Sequence, residues 1–501
     1  MLSASTPDDR PTHPARTAPP PRQRTRTGRP SRKETARHMT QTAAARRPIG
    51  RTTLYFFGAL GGILFGYDLG VISGVLPFIG KLWGLSGWDK GVITASISVG
   101  AIVGAIFSAR LNEILGRRRT IMVAAVIVIV GTAAATFSPT FVLLIVSRLV
   151  IGVGIGLSSS TVPTYLSELA PARLRGAMGA LNQIFIVLGI LIAFLVSYGL
   201  GTSGNWRLMF AGAVVPAVIL VAGLVFLPET PRWLIANGQE EQARTVLVSS
   251  HGGGVDVDEE VRTIREVIRL DSESAKTRFR DLLTPMVRPM LVVALLLAIG
   301  QQFSGVNAVN AYFPTMLIGL GFATQAALLS GVLLGVTKFV FTAWVVFVVD
   351  RWGRKPLLLI GNVIMVVTLV AAGFVVLEVR DTGTKGVLML IAMVLYLVGY
   401  ELGWGAVVWV MMSEVFPLKV RAAGMGVSSV VLWAATGIIS AVFPIIADPG
   451  ALGIGGSMFL FAGINVVLFA LTKWLVPETK GRTLEQIELD LRGRTHAKTT
   501  A

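Results

Sequence analysis

The 501-residue chain is 53% apolar and only 15% charged, against about 25% charged in soluble proteins. That balance argues against a string of soluble domains. The absence of cysteine excludes disulfide and thiol chemistry. Net charge is +17, and residues 1–51 hold twelve Arg or Lys against three acids.

Residues 1–50, rich in Pro, Arg, Thr and Ala, have no apolar periodicity and lack the apolar core of a signal peptide. They are expected to be a disordered basic cytoplasmic tail that anchors topology. Translation from Met39, or binding of the tail to anionic lipid, are the alternatives. Twelve apolar runs follow, at 53–79, 91–111, 120–138, 141–163, 177–200, 207–227, 288–318, 324–349, 356–378, 387–413, 420–446 and 454–476. Each is long enough to cross roughly 30 Å of hydrocarbon as a helix. The predicted fold is an all-α membrane protein of twelve transmembrane helices, six in 51–227 and six in 288–476. Residues 228–287 form a polar cytoplasmic linker in which EEQARTVLV and DEEVRTIREVIRL read as short amphipathic helices. Residues 477–501 form a cytoplasmic tail.

The halves repeat each other. Gly116 and Gly353 lie in GRRR and GRK, Glu168 and Glu414 in SELAP and SEVFP, and Glu229 and Glu478 in two PET triplets. A near-constant offset marks a duplicated unit, and paired six-helix repeats suggest a secondary transporter. Arg and Lys crowd the loops after helices 2, 4, 8 and 10, which places both termini in the cytoplasm of a multi-pass protein of the cell inner (plasma) membrane. GVGIG at 152–156 lacks a strand–turn–helix setting, so it reads as a helix-packing face, not a nucleotide loop.

Four ionisable residues fall inside the apolar runs: Asp68, Arg148, Lys338 and Glu401. An unpaired charge in hydrocarbon costs at least about 2.5–3.5 kcal/mol. At about 1.5 Å per residue, Asp68 lies roughly 22 Å and Arg148 roughly 20 Å from the inner face, so they are expected to pair. The pair is either a fixed helix clamp or a proton site, since a change in pairing moves a carboxyl between proton uptake and release. Lys338 and Glu401 are expected near the bilayer centre, paired with each other or with substrate. Gln183, Gln301, Gln302, Asn307 and Asn310 add carboxamides to apolar helices, and Trp409 and Trp433 add aromatic faces. Carboxamides donate and accept hydrogen bonds, as a polyhydroxyl ligand requires, and tryptophan suits the apolar face of a sugar ring.

The ordered set GGILFGYDLGVISG, RLVIGVGIGLSSSTVPTYLSELAPARLRG, PETPRWL, QQFSGVNAV, VDRWGRKPL, MSEVFP and PETKGRTLEQIE resembles the sugar porter family of the major facilitator superfamily over about residues 53–485. The resemblance implies two pseudo-symmetric six-helix bundles around a central sugar site with alternating access. It implies sugar contacts from Gln183, Gln301, Gln302, Asn307 and Trp409. An aspartate at position 68 beside Arg148 matches the family's proton symporters. The resemblance also implies a cytoplasmic gate of ion pairs built from Arg117, Arg118, Glu168, Arg175, Glu229, Arg232, Arg351, Arg354, Glu414 and Arg421.

Departures bear on substrate identity. Lys338 stands where relatives carry a sugar-contacting Asn, Ala311 replaces one aromatic of a tyrosine pair, Leu432 an Asn or Gln, and Ala406 a proline. The expected function is proton-coupled import of a hexose, pentose or related polyol; a facilitator without proton coupling, or a sugar sensor, are the alternatives. No enzymatic activity, cofactor, metal or nucleic-acid partner is expected. The partners are the sugar, protons and the lipid bilayer, with the monomer as the working unit.

Overall fold

The computed structural model describes residues 51–171, 174–251, 256–274, 279–285 and 287–480. The basic tail 1–50, and the C-terminal tail beyond 480, lie outside the described residues, as do Arg173 and the side chain of Arg175. The described residues contain no strand.

Twelve helices are long and apolar enough to cross a membrane: α1 Thr52–Trp83, α2 Gly87–Leu115, α3 Arg117–Thr136, α4 Phe141–Leu169, α5 Gly176–Gly199, α6 Trp206–Phe226, α7 Arg288–Gly319, α8 Thr324–Val349, α9 Arg354–Glu378, α10 Thr382–Met412, α11 Ala423–Ile446 and α12 Gly453–Leu475. In lipid a helix satisfies its own backbone groups, so these apolar runs have one accessible secondary structure. They match the expected runs in number and order. Several extend a turn or more further, because polar residues such as Ser167 and Glu168 at the end of α4 remain helical where they find partners. The ends have local causes. Ser86 and Asp89 form a reciprocal capping box at the start of α2, and Asp381 caps α10 through the Thr384 amide.

Four helices are interrupted. α1 has a turn at Leu60, between Ala59 and Gly61. α6 is divided between Ala211 and Val214. α7 stops at Phe303 and resumes at Val306 across Gly305, whose φ of +106° suits glycine. α10 contains a π-helical segment, Glu401–Gly405. The last two breaks carry polar groups of the site.

Packing repeats with an offset of six helices. α1 packs on α5 and α3 on α4 and α6; correspondingly α7 packs on α11 and α9 on α10 and α12. The halves meet along α2–α11, α5–α8 and α1–α7. Small residues set the closest approaches. A Cβ on Gly152 would stand 2.2 Å from the Ile97 carbonyl oxygen, and one on Gly156 2.1 Å from that of Ala101. Within the GVGIG run, Gly152 and Gly156 thus lie on the face of α4 that meets α2, and Gly154 on the face that meets α3.

The linker contains helices Pro231–Ala236, Glu240–His251 and Val257–Ser274, the latter two where the amphipathic pattern predicted them. Arg244 joins them by pairing with Glu240 at 2.9 Å and Asp258 at 2.5 Å. Helix Val257–Ser274 touches helix Leu418–Ile446 of the second half. The end of the molecule bearing the α2–α3 and α8–α9 loops is its basic end, and the opposite one its far end.

Candidate functional site

The two halves close on each other at the far end. A Cβ on Gly87 would lie 2.8 Å from the Pro444 carbonyl oxygen, and one on Gly91 2.3 Å from that of Ala441, so α2 and α11 touch backbone to backbone. The Tyr312 hydroxyl donates to the carbonyls of Ser440 (2.7 Å) and Lys90 (3.3 Å). Gln325 at the start of α8 donates to the Tyr198 carbonyl at the end of α5, at 3.0 Å.

Inward of that closure lies a cavity between the halves. Leu69, Thr94, Ser98 and Arg148 line it from one side, Asn307, Asn310 and Thr436 from the other. Arg148, only 1% exposed, is tied on two sides. Its Nε donates to the Ile93 carbonyl at 2.8 Å, and its Nη2 meets Asp68 Oδ2 at 3.5 Å. Counting residues along α1 and α4 predicted that meeting. The guanidinium thus joins α4 to α1 and α2 beside the cavity, with its Nη1 unpartnered.

The amides of α7 form a relay across the Gly305 break. Asn307 Nδ2 donates to Gln302 Oε1, Gln302 Nε2 to Gln301 Oε1 at 3.0 Å, and Gln301 Nε2 to the carbonyls of Trp404 (2.7 Å) and Gly405 (3.1 Å). Those two carbonyls belong to the π-helical segment, where the i→i+5 pattern frees backbone acceptors. Asn307 therefore reaches the cavity, while the buried Gln301 is spent on α10. Gln183 on α5 and Trp409 on α10 are half-buried. Trp433 is buried against Phe65 of α1, ring centroids 5.3 Å apart, and so bridges the halves.

Lys338 and Glu401 pair with each other, Nζ to Oε1, at 3.1 Å, with side chains 5% and 1% exposed. Thr342, one turn along α8, donates to the other Glu401 oxygen at 2.8 Å. The Lys338 ammonium also lies 5.3 Å from the centre of the Tyr400 ring. Lys338 is thus neutralised within the second half and pins α8 to the π-helical segment.

At the basic end the repeated motifs form two matching stations. Gly116 and Gly353 turn the chain with φ of +88° and +89°. Glu229 accepts from the backbone amides of Arg117 (3.0 Å) and Arg118 (3.1 Å); Glu478 accepts from those of Arg354 (3.1 Å) and Lys355 (3.0 Å). Each carboxylate caps the N-terminus of a helix, α3 or α9, where the helix dipole favours negative charge. Burial pushes the Glu229 carboxyl above its usual value, against the pull of those amide hydrogen bonds. The side-chain pairs Arg117–Glu168 (2.9 Å) and Arg354–Glu414 (3.2 Å) also correspond, and Arg232 lies 4.0 Å from Glu168. Thr479 donates to Glu414 at 2.5 Å.

Of the charges expected to form ion pairs, Arg117, Glu168, Arg232, Arg354 and Glu414 do so, whereas Glu229, Arg118 and Arg421 take backbone partners. The Arg118 guanidinium donates to the Val225 carbonyl at 2.9 Å, because Glu229 is engaged by backbone. Arg421 donates to the Phe416 carbonyl at 3.2 Å, and burial holds its guanidinium below the usual value. Arg351 is exposed; its carbonyl accepts from Lys480 at 2.6 Å. Arg117–Glu168 lies within the first half and Arg354–Glu414 within the second, while Arg232 ties the linker to the first. Sequence reasoning missed Glu478 as a partner, although the second PET triplet was its signal, and missed Ser98 and Thr342, for which hydroxyls in apolar runs were the only sign. Among the described residues, no group of three or more His, Cys, Asp or Glu is placed to hold a metal ion.

Comparison with known proteins agrees with this architecture. A family model described as sugar (and other) transporters matches residues 54–491. The glucose transporter GlcP of Staphylococcus epidermidis is 40% identical over 446 residues, 89% of this chain and 98% of that protein. The galactose-proton symporter of Escherichia coli is 34% identical over 438 residues, 87% and 93% of the two chains. The xylose transporter XylE from E. coli, in a partially occluded inward open conformation, superposes with a TM-score of 0.75 at 29% identity, covering 86% of this chain and 99% of that one. The chain is a twelve-helix membrane protein of the major facilitator fold and belongs to the sugar transporter family.

Proposed function

We propose that this protein is a proton–sugar symporter that imports a neutral hexose, pentose or related polyol by alternating access. One observation carries the reading. The cavity bordered by Arg148, the partner of Asp68, is also bordered by Asn307 at the end of an amide relay. Proton and sugar groups thus share one space between the halves. Asp68 carries the proton, and Arg148 sets when it is held. Asn307, Gln302, Gln183, Trp409 and Trp433 hold the sugar; Gln301, Lys338 and Glu401 shape the pocket from behind. The mutual neutralisation of Lys338 and Glu401 favours a neutral substrate over an acidic one. The relatives' named activities, galactose–proton symport and glucose transport, support the reading.

The protein works as a monomer in the plasma membrane, with the basic end and both termini in the cytoplasm. The bundles 51–227 and 288–476 rock against each other. The closed contacts at the far end, around Tyr312 and along α2–α11, correspond to a state facing inward. The Arg117–Glu168 and Arg354–Glu414 stations, with Arg175, Arg232 and Arg421, rearrange to close the cytoplasmic end in the outward-facing state. Entry of a proton with each sugar contributes about 2.3 kcal/mol per 100 mV of membrane potential. The test is sugar-evoked proton movement. Adding sugar outside proteoliposomes that enclose a pH-sensitive dye should acidify the lumen, and an unchanged dye signal during measurable sugar uptake would make the protein a facilitator.

A further inference from the structure

Three buried polar atoms without a hydrogen-bond partner belong to residues that line the same cavity: Arg148 Nη1, Asn310 Oδ1 and Ser98 Oγ. Their residues are 1%, 6% and 1% exposed and come from α4, α7 and α2. The other two nitrogens of Arg148 are engaged by Ile93 and Asp68, so Nη1 is its one nitrogen without a partner. The Asn310 oxygen accepts only, and a serine hydroxyl does both. A donor, an acceptor and a group that is both suit a hydroxyl, which gives one hydrogen bond and takes others. A carboxylate would satisfy Arg148 but oppose Asn310, and an apolar group would leave all three atoms unmet. Asn310 lies three residues from Asn307, on the same face of α7. Ala311 beside it also lines the cavity.

We propose that Asn310, Ser98 and Arg148 form a subsite for one hydroxyl-bearing arm of the sugar. The hydroxyl donates to Asn310 Oδ1 and accepts from Arg148 Nη1, with Ser98 as the third partner. The inference rests on the sugar-transport reading and adds that substrate touches the guanidinium paired with Asp68. Asn310 thereby becomes a specificity-determining residue at the end of the cavity closed by Tyr312 and Ser440.

The experiment uses the full chain in proteoliposomes. Labelled D-glucose, D-galactose, D-xylose and myo-inositol are compared first, and exchange of the fastest is then competed with its monodeoxy series. Wild type, Asn310→Leu and Ser98→Ala are measured in parallel. In wild type, the analogue lacking the hydroxyl that reaches the subsite should compete about ten- to a hundredfold less well than the parent sugar, as for a lost hydrogen bond to a charged group. In Asn310→Leu the parent should weaken, and the disadvantage of that one analogue should shrink to within about twofold; the other analogues should keep theirs. Ser98→Ala should give a smaller change in the same sense and carries the test if Asn310→Leu does not fold. Variants that weaken the whole deoxy series equally, or leave it unchanged, would overturn the subsite while the transport reading stands. Wild type that takes up none of the four sugars would overturn both.

Discussion

Removing the positive member of the Lys338–Glu401 pair should cost far more than removing the pair. At 3.1 Å and an effective dielectric of about 20, the attraction is about 5 kcal/mol, set against the desolvation of two buried ions. Lys338→Met deletes the attraction and leaves the Glu401 carboxylate buried, with Thr342 as its remaining hydrogen-bond donor. The expected loss is about 3–5 kcal/mol, whereas Lys338→Met with Glu401→Leu should be nearly neutral because no charge is left unmet. Denaturant unfolding in mixed micelles, for both single variants and the double, gives the coupling energy directly. A single variant costing under about 1 kcal/mol, or a double variant whose cost is the sum of the singles, would refute the claim that the two side chains neutralise each other inside the second half.

Other consequences follow from the two stations at the basic end and from the helix seam. Glu229 is held above its usual value by burial, so the folded state binds its proton more tightly than the unfolded chain does. Stability should then fall as pH rises from the ordinary carboxylate range through the raised value, and Glu229→Gln should flatten that slope, as read from melting temperatures between about pH 4 and 8. Gly116→Ala should destabilise by about 1–3 kcal/mol, because φ is +88° and the new Cβ would stand 2.3 Å from Glu229 Oε2; an unchanged melting temperature would contradict the capping geometry. Gly152→Leu should prevent α4 from seating on α2, since even a Cβ there lies 2.2 Å from the Ile97 carbonyl, and the yield of folded, monodisperse protein checks it. Glu478→Gln should cost about 0.5–2 kcal/mol, as loss of a helix cap does, with Lys355→Ala as the control that leaves the backbone amide in place.

What could be read from the chain depended on whether the cause was periodic. The twelve spans were legible because lipid leaves an apolar run little choice but a helix, and the repeat was legible because glycine turns and glutamates recur at a fixed offset. Asp68 and Arg148 could be paired by depth, since helical rise converts sequence position into distance. Lys338 and Glu401 were predicted to pair with each other or with substrate, and the structure has the first. Backbone partners were not legible. Glu229 and Glu478 bind backbone amides, which every residue but proline carries, so the sequence could mark them as charged but not as caps. The diversion of Gln301 to the carbonyls of Trp404 and Gly405 depends on a π-helical segment, for which ELGWG has no periodic signal. Asn310 stood out as a carboxamide, but its opening onto Arg148 depends on how α2, α4 and α7 converge.

The central claim is that Asp68, beside Arg148, couples a proton to sugar movement. The most direct measurement is uptake of labelled hexoses, pentoses and inositols into proteoliposomes, with and without an inward proton gradient, for wild type and Asp68→Asn. The account predicts that wild type concentrates its sugar only with the gradient, while Asp68→Asn fails to concentrate it and still exchanges sugar across the membrane. Equal, gradient-independent equilibration by both proteins would contradict it and leave the Asp68–Arg148 pair as a clamp between helices.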